Sequence, residues 1–425
     1  MPAMTAEIRG KPTRCPWGSG QGELTTRGPE QARPLLQHKV IAISLILVVA
    51  AAVQIGTWHV SSRLFPGSAG NKVCKVMAHG LLFDGLNQTV SSLAGGGQRG
   101  AQAMFAACLL IALGSAVAWY AAARLALGVP WGLWTGLFWV THPLPALLAQ
   151  RPSSLTFLML LVPASWATLL WWMQSPRPLA ALLAGVCIGL VTLVSIQGFL
   201  LLVAGLAVML AGAGFGRSTC LGVLVAGLGF ATPVASAWAL LHHGGGLERM
   251  SEDLASGWWE VLDTGDGSEM AREARRILSS AGEVSREPAL RFIAGRLGRC
   301  PRATLGWSAQ RLGRTLYTTE DHRFERPLFV LQVLWLVPAV WGWLIAFGYP
   351  PWRPAAATAM LFVVVTWTFV GLAEPVARNL APVGGMGIVF GLVGVADVYE
   401  RLFGRRLTQP RAAARPGGRL GGRSL

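Results

Sequence analysis

The sequence predicts an all-α polytopic membrane protein with about ten transmembrane helices and a helical external cap. Three observations predict it. Of 425 residues, 53% are apolar and only 13% charged, with a mean hydropathy of +0.48, and a soluble domain carries roughly twice that charge. The apolar residues fall in runs approaching the length that spans a bilayer, and so many runs cannot be hidden in one water-soluble core. The net charge of +16, from 36 basic and 20 acidic residues, is concentrated at the two ends of the chain. A disordered chain, a cytosolic enzyme and a disulfide-stapled secreted domain are excluded.

Residues 1–38 read as a basic tail, with Arg9, Lys11, Arg14, Arg27 and Arg33. Residues 400–425 form a second tail, with Arg401, Arg405, Arg406, Arg411, Arg415, Arg419 and Arg423. Basic flanks resist translocation, so both termini are expected in the cytoplasm and the number of spans is even. Among the tail arginines stand only two aromatic residues, Trp17 and Phe403; the arginines suit orientation and anionic lipid, and nucleic acid is set aside. Ten runs fit, near 40–58, 101–123, 131–149, 154–173, 179–194, 198–214, 219–241, 327–347, 355–373 and 380–398. The turns this places inside carry Arg124, Arg177, Arg217 and Arg353 in short Gly/Pro-rich connections. Between 179 and 214, two short helices broken at Ser195-Ile-Gln-Gly198 compete with one long tilted helix. The first run follows too long a tail for a cleaved signal peptide and reads as a signal anchor. Only Lys11, Lys39, Lys72 and Lys75 of the basic residues are lysine, and Ala, Gly and Leu are abundant, which points to a GC-rich bacterial genome and an inner (plasma) membrane.

Two external segments remain: the loop 59–99 inside an N-terminal membrane domain 39–241, and a segment 242–326 that precedes the C-terminal membrane helices 327–399. The second holds as many arginines as acidic residues and no lysine, the composition of a solvated helical cap. One helix is expected from Ser268, a second from Pro288 and a third from Pro301. At about 100° per residue, Leu305, Ala309, Leu312 and Leu316 of the third fall on one side, while Trp307, Arg311 and Arg314 fall on the other. Two uses fit such a helix. It lies at the membrane surface with its leucines down and its arginines among headgroups, or its guanidinium groups grip a lipid phosphate in bidentate fashion beside a sugar-stacking indole.

The chain has no Walker loop, no Gly-x-Ser-x-Gly elbow, no Cys-x-x-Cys and no His-Glu-x-x-His. No metal and no cofactor are expected. Glycine pairs such as Gly185 with Gly189 and Gly387 with Gly391 have the small-residue spacing of close helix packing in membranes. Of six cysteines, Cys74 and Cys300 lie in the external segments, where an oxidising compartment allows them to pair. Trp258, Trp259, Glu260, Asp263 and Asp266 form an acidic and aromatic cluster that suits either carbohydrate or a membrane-interface belt.

Four stretches carry a resemblance across nearly the whole chain. They are Val76-Met-Ala-His-Gly-Leu-Leu-Phe-Asp-Gly85, Thr141-His-Pro-Leu-Pro145 with Arg151-Pro-Ser-Ser-Leu155, Arg286-Glu-Pro-Ala-Leu-Arg-Phe-Ile293 leading into Trp307 to Tyr317, and Ala377-Arg-Asn-Leu-Ala-Pro382. In this order, with a large external insert before the last three spans, the chain resembles the GT-C multi-span glycosyltransferases, in the branch of protein mannosyltransferases and aminoarabinose transferases. The resemblance implies a GT-C-like fold and transfer of a sugar, with inversion, from a polyprenyl phosphate to an acceptor hydroxyl on the external face. It also implies a carboxylate base and cations for the departing lipid phosphate.

The chain departs from that pattern where the family carries acids, with Gly70-Asn71 in the first loop and Ser153-Ser154 after the third span. Asp84 is the one acidic residue of the first loop, so it is either the base or, with Gly85, a turn residue. Arg378 matches the family's basic residue before the last span. Arg378 and Arg314, then Arg311 and Arg151, are the candidates for donor phosphate, and Trp307, Trp258 and Trp259 for sugar or acceptor. The competing functions are a catalytically inactive relative that binds a lipid-linked glycan or a membrane partner and, less favoured, a secondary transporter, which the spans' lack of repeats and of charge opposes.

Overall fold

A computed structural model describes residues 39–55, 81–142, 153–195, 197–213, 216–243, 295–316, 325–373 and 377–403, with isolated positions 145, 148, 272 and 276. The chain divides into two compact units, Met1–Leu45 and Ile46–Leu425. Of the first, the described part is the opening of helix α1, Lys39–Ile55; the contacts below all lie in the second.

No strand occurs among the described residues. The helices are α2 Leu81–Leu93, α3 Gly97–Leu127, α4 Val129–Thr141, α5 Ser154–Gln174, α6 Pro178–Val194, α7 Gln197–Ala213, α8 Arg217–His243, α9 Pro301–Arg314, α10 Glu325–Gly348, α11 Arg353–Ala373 and α12 Ala381–Phe403, with a 3₁₀ turn at Ala377–Leu380 before the last. Helices fall in each of the ten predicted runs, but by length and composition five are sufficient to cross a membrane, α3, α5, α8, α11 and α12, against the ten expected; α1, α6, α7 and the apolar part of α10 are shorter, and α4 has 13 residues. The protein is a multi-pass membrane protein.

Local chemistry sets the boundaries. Proline stands in the first turn of α4, α6 and α9, where its missing N–H costs nothing. Helix α4 stops at Thr141, short of the predicted 149, because Pro143 forces His142 into extended backbone (φ −69°, ψ 129°). Between α3 and α4 the chain reverses at Gly128, whose φ of 110° only glycine adopts freely. Asp84 and Gly85 sit inside α2, so the expected turn is a helix; the reversal comes later, at Gly95 to Gly97, all with positive φ. At Ser195, which stands in extended backbone, α6 ends, and the stretch 179–214 forms two helices instead of one. Gly198 packs on Thr192 and Gly205 on Ile188, so α6 and α7 form an antiparallel hairpin.

Inter-helix contacts fix the directions of the rest. Trp139 donates to Ser115 Oγ at 2.9 Å and Gly132 packs on Tyr120 and Arg124, so α3 and α4 are antiparallel. Trp119 stacks near Trp166 while Gly114 meets Leu160, so α3 and α5 run parallel, and Gln174 Nε2 donates to Leu125 O where both end. Gly185 lies on the Ala226 carbonyl and Gly189, one turn on, against Pro233, which sets α6 parallel to α8; Gly229 on the Leu182 carbonyl brings the pair to backbone contact. The same reciprocal arrangement joins α10 to α12, with Gly342 on Phe390 O and Gly394 on Pro338 O. Such glycines let main chains touch and gain Cα–H···O contacts.

The bundle therefore has two distinct ends. Arg124, Arg177, Arg217, Arg353 and Arg401 all stand at one, the arginine end. At the other, the cap end, lie Ser153, the 195–197 break, and the 3₁₀ turn with the start of α12. Between them the core is tryptophan-rich: Trp119, Trp166 and Trp172 are fully buried, and Trp166 Nε1 donates to Thr358 Oγ1 at 2.9 Å.

Candidate functional site at the cap end

Helix α9 comes closest to a built site, and its packing differs from the expected division into a leucine side and an arginine side. Leu305 and Ala309 face outward, Leu305 being 61% exposed, whereas Arg311 is 3% exposed. The inward stripe is Thr304, Ser308, Arg311 and Thr315, a polar one. Each hydroxyl turns back on its own helix, Thr304 Oγ1 to Cys300 O (3.0 Å), Ser308 Oγ to Thr304 O (2.9 Å) and Thr315 Oγ1 to Arg311 O (2.9 Å). Self-satisfied hydroxyls make this stripe buriable although it is not apolar.

The partner of α9 is the last turn of α11, and the two helices cap one another. Arg311 Nε donates to Gly371 O at 3.3 Å. That carbonyl lies in the last turn of α11, where C=O groups lack intrahelical donors and the helix dipole favours a cation. In return Trp367 Nε1 donates to Leu312 O, in the last turn of α9, at 3.0 Å. Trp307 covers the Arg311 guanidinium, 4.8 Å from ring centroid to Cζ, which offsets part of the desolvation of a buried cation. Gly371 is required at the contact: a Cβ there would stand 2.6 Å from Leu312 Cδ2 and 3.1 Å from Leu312 Cα. Arg314, three residues beyond Arg311, is half-buried.

Around the same end, several side chains carry buried polar atoms with no hydrogen-bond partner among the described residues, Trp307 Nε1 of α9 and Thr366 Oγ1 of α11 among them; four more stand at the starts of α5 and α7. They are Ser153 Oγ, Thr156 Oγ1, Ser195 Oγ and both amide atoms of Gln197. Gln197, Ser195 and Thr156 are 0% exposed and Ser153 5%. Buried polar groups are nearly always paired, which sets these atoms apart. Sequence reasoning passed over Gln197, although a glutamine between two apolar runs is the signal that intramembrane polar residues give.

The other candidates divide into two groups. Asp84 lies on α2, whose Phe83 packs edge-on against Phe157 in the second turn of α5 (6.3 Å between centroids), close in sequence to Ser153 and Thr156. The Asp84 backbone is therefore at the cap end, and its side chain lies outside the described residues. Arg378 is in the 3₁₀ turn that packs on α11 and α12, beside the buried Asn379, again without a described side chain. Arg151, Trp258 and Trp259, the Glu260 cluster and Cys74 lie outside the described residues, as does the start of the predicted helix from Pro288, of which 295–299 are helical; of the predicted helix from Ser268 only positions 272 and 276 are described, both helical. Cys300 caps α9 with a free, exposed thiol. No three His, Cys, Asp or Glu side chains among the described residues are grouped to hold a metal ion.

No protein-family model matches the chain, and no curated protein matches it either. Among solved structures, it is similar to the archaeal oligosaccharyltransferase AglB from Archaeoglobus fulgidus, in complex with an inhibitory peptide and a dolichol-phosphate. Identity is 14% and the TM-score 0.49 over 87% of this chain and 52% of that one, so the chain spans about half the length of that protein.

Proposed function

We propose that the protein is a multi-pass glycosyltransferase of GT-C type that moves a sugar from a polyprenyl-phosphate donor to an acceptor hydroxyl. The observation that carries this reading is the cap end itself. Opposite the arginine-bearing turns, it combines a clamped helix bearing Trp307, Arg311 and Arg314 with buried hydroxyl and amide groups that find no partner among the described residues. Cations orient a membrane protein from the cytoplasmic side; those of α9 stand at the other end, where orientation does not explain them. By the same rule the arginine end and both termini are cytoplasmic, and the cap faces the exterior of a bacterial inner membrane.

In this reading the acceptor oxygen attacks the anomeric carbon while Asp84 takes its proton, and the bond from that carbon to the phosphate oxygen breaks. Polyprenyl phosphate departs with the bonding pair, its charge met by Arg314 and Arg378, with Arg311 and Arg151 behind them. Trp307, Trp258 and Trp259 offer faces to the sugar or the acceptor. No cofactor takes part.

The test is transfer of radiolabelled sugar from polyprenyl-phosphate donors in native membranes. Arg314→Ala is expected to raise the donor KM at least tenfold, and Asp84→Asn to abolish transfer while donor is still retained. Full transfer by Asp84→Asn removes it as the base, and unchanged kinetics in Arg314→Ala remove the phosphate site. One sequence observation favours a second reading, an inactive relative that binds a lipid-linked glycan or a membrane partner: Gly70-Asn71 and Ser153-Ser154 stand where carboxylates are expected. Donor retention in native mass spectrometry without turnover of any donor selects that reading.

A further inference from the structure

At the arginine end, α10 and α12 enclose a groove of about 730 Å³ that opens outward from the bundle. Its walls are Leu336, Val337, Val340 and Leu344 of α10 with Val395 and Val398 of α12. Pro338 and Trp341 complete its lining, and Pro338 also belongs to the close backbone crossing, its carbonyl lying against Gly394. One rim is polar. Asp397 Oδ2 accepts Trp341 Nε1 at 2.9 Å and Arg401 Nε at 2.8 Å, and the Arg401 guanidinium lies 5.2 Å over the Trp341 ring. Arg401 is thus held in place through its Nε while its side chain stays 65% exposed. Arg405 and Arg406 follow in sequence.

We infer that this groove is a binding site for an anionic phospholipid, with one acyl chain between α10 and α12 and its phosphate on Arg401. The wall from Leu336 to Leu344 is about 12 Å long at 1.5 Å per residue, which matches the ~15 Å hydrocarbon depth of one leaflet and not the far longer chain of a polyprenol. An apolar slot ending at a pre-oriented guanidinium distinguishes one lipid class from the bulk, because the phosphodiester is met by a fork of donors at a fixed height. The site is at the opposite end from the proposed donor site and does not depend on it.

The test uses the full chain in mild detergent, offered equal amounts of phosphatidylglycerol and phosphatidylcholine, with retained lipid counted by native mass spectrometry. Phosphatidylglycerol is expected to be retained in preference, and Arg401→Gln to lower its retention about fivefold, the effect of one interfacial arginine. Asp397→Asn is expected to lower retention as well, by loosening the guanidinium, but by less than Arg401→Gln, since the charge remains; equal losses in the two variants overturn the inference. Val395→Phe, at a lipid-facing position, is expected to displace the chain with Arg401 intact. Equal retention of both phospholipids by the wild type, or no effect of Val395→Phe, also overturns it. So does Arg401-dependent displacement of phosphatidylglycerol by an equal amount of polyprenyl phosphate.

Discussion

Gly371→Ala isolates the mutual capping of α9 and α11. The new Cβ would sit 2.6 Å from Leu312 Cδ2, which can rotate away, but also 3.1 Å from Leu312 Cα and 3.1 Å from Thr315 Oγ1, which cannot without moving α9. Relief requires α9 to rise by a few tenths of an ångström. The Arg311 bond to Gly371 O is already 3.3 Å long, so it breaks first, and the Trp367 bond at 3.0 Å is stretched. A hydrogen bond from a charged donor contributes about 1.5–3 kcal/mol and a neutral one about 1, so docking of α9 weakens by about 2–3 kcal/mol, roughly 30- to 150-fold in its equilibrium constant. A helix of 14 residues is marginal once undocked. Amide hydrogen exchange over 301–316 in nanodiscs reads that equilibrium and should accelerate by the same factor. Gly306→Ala, on the same helix, meets no atom within 4 Å and should slow exchange, by up to about fivefold from helix propensity alone. Unchanged or slower exchange in Gly371→Ala would refute the clamp.

Gly198→Ala should destabilise the α6–α7 hairpin by about 1–3 kcal/mol or more, because its Cβ would collide with the Thr192 main chain; a lowered Tm in detergent measures it. Trp166→Phe removes the buried donor to Thr358 Oγ1 and should cost about 1 kcal/mol, also read from Tm, with a larger drop implying that the indole's packing dominates. Single-cysteine variants test the two ends: an impermeant thiol reagent applied to spheroplasts should label the exposed Cys300 at once and the exposed Cys220, near the start of α8, only after permeabilisation. The reverse pattern would invert the topology.

Much of the helix layout was legible because a bilayer-spanning helix must be apolar along its length, and such runs stand out whatever they pack against. The positions of Arg124, Arg177, Arg217 and Arg353 at one end followed from the same counting. What stayed hidden was how helices meet. Helix α9 is buried along Thr304, Ser308, Arg311 and Thr315 because three hydroxyls satisfy themselves and the arginine finds a carbonyl, and no hydrophobic period announces such a face. Asp84-Gly85 reads as a turn from its residue types, yet α2 carries it through in helical form. Gln197 was visible as a residue and invisible as an unpaired one, since only the packing of α7 against its neighbours withholds its partners.

The crossing of α10 and α12 bears on how the molecule can open. Where two helices meet through side chains, rotamer changes let one slide past the other; at Gly342 and Gly394 carbonyl oxygens rest on opposing Cα atoms and no rotamer is available to absorb a displacement. The pair therefore moves as one stiff rib, as does the pair α6 and α8. Under the proposed function, a donor lipid would enter the cap end between these ribs and not by parting either pair.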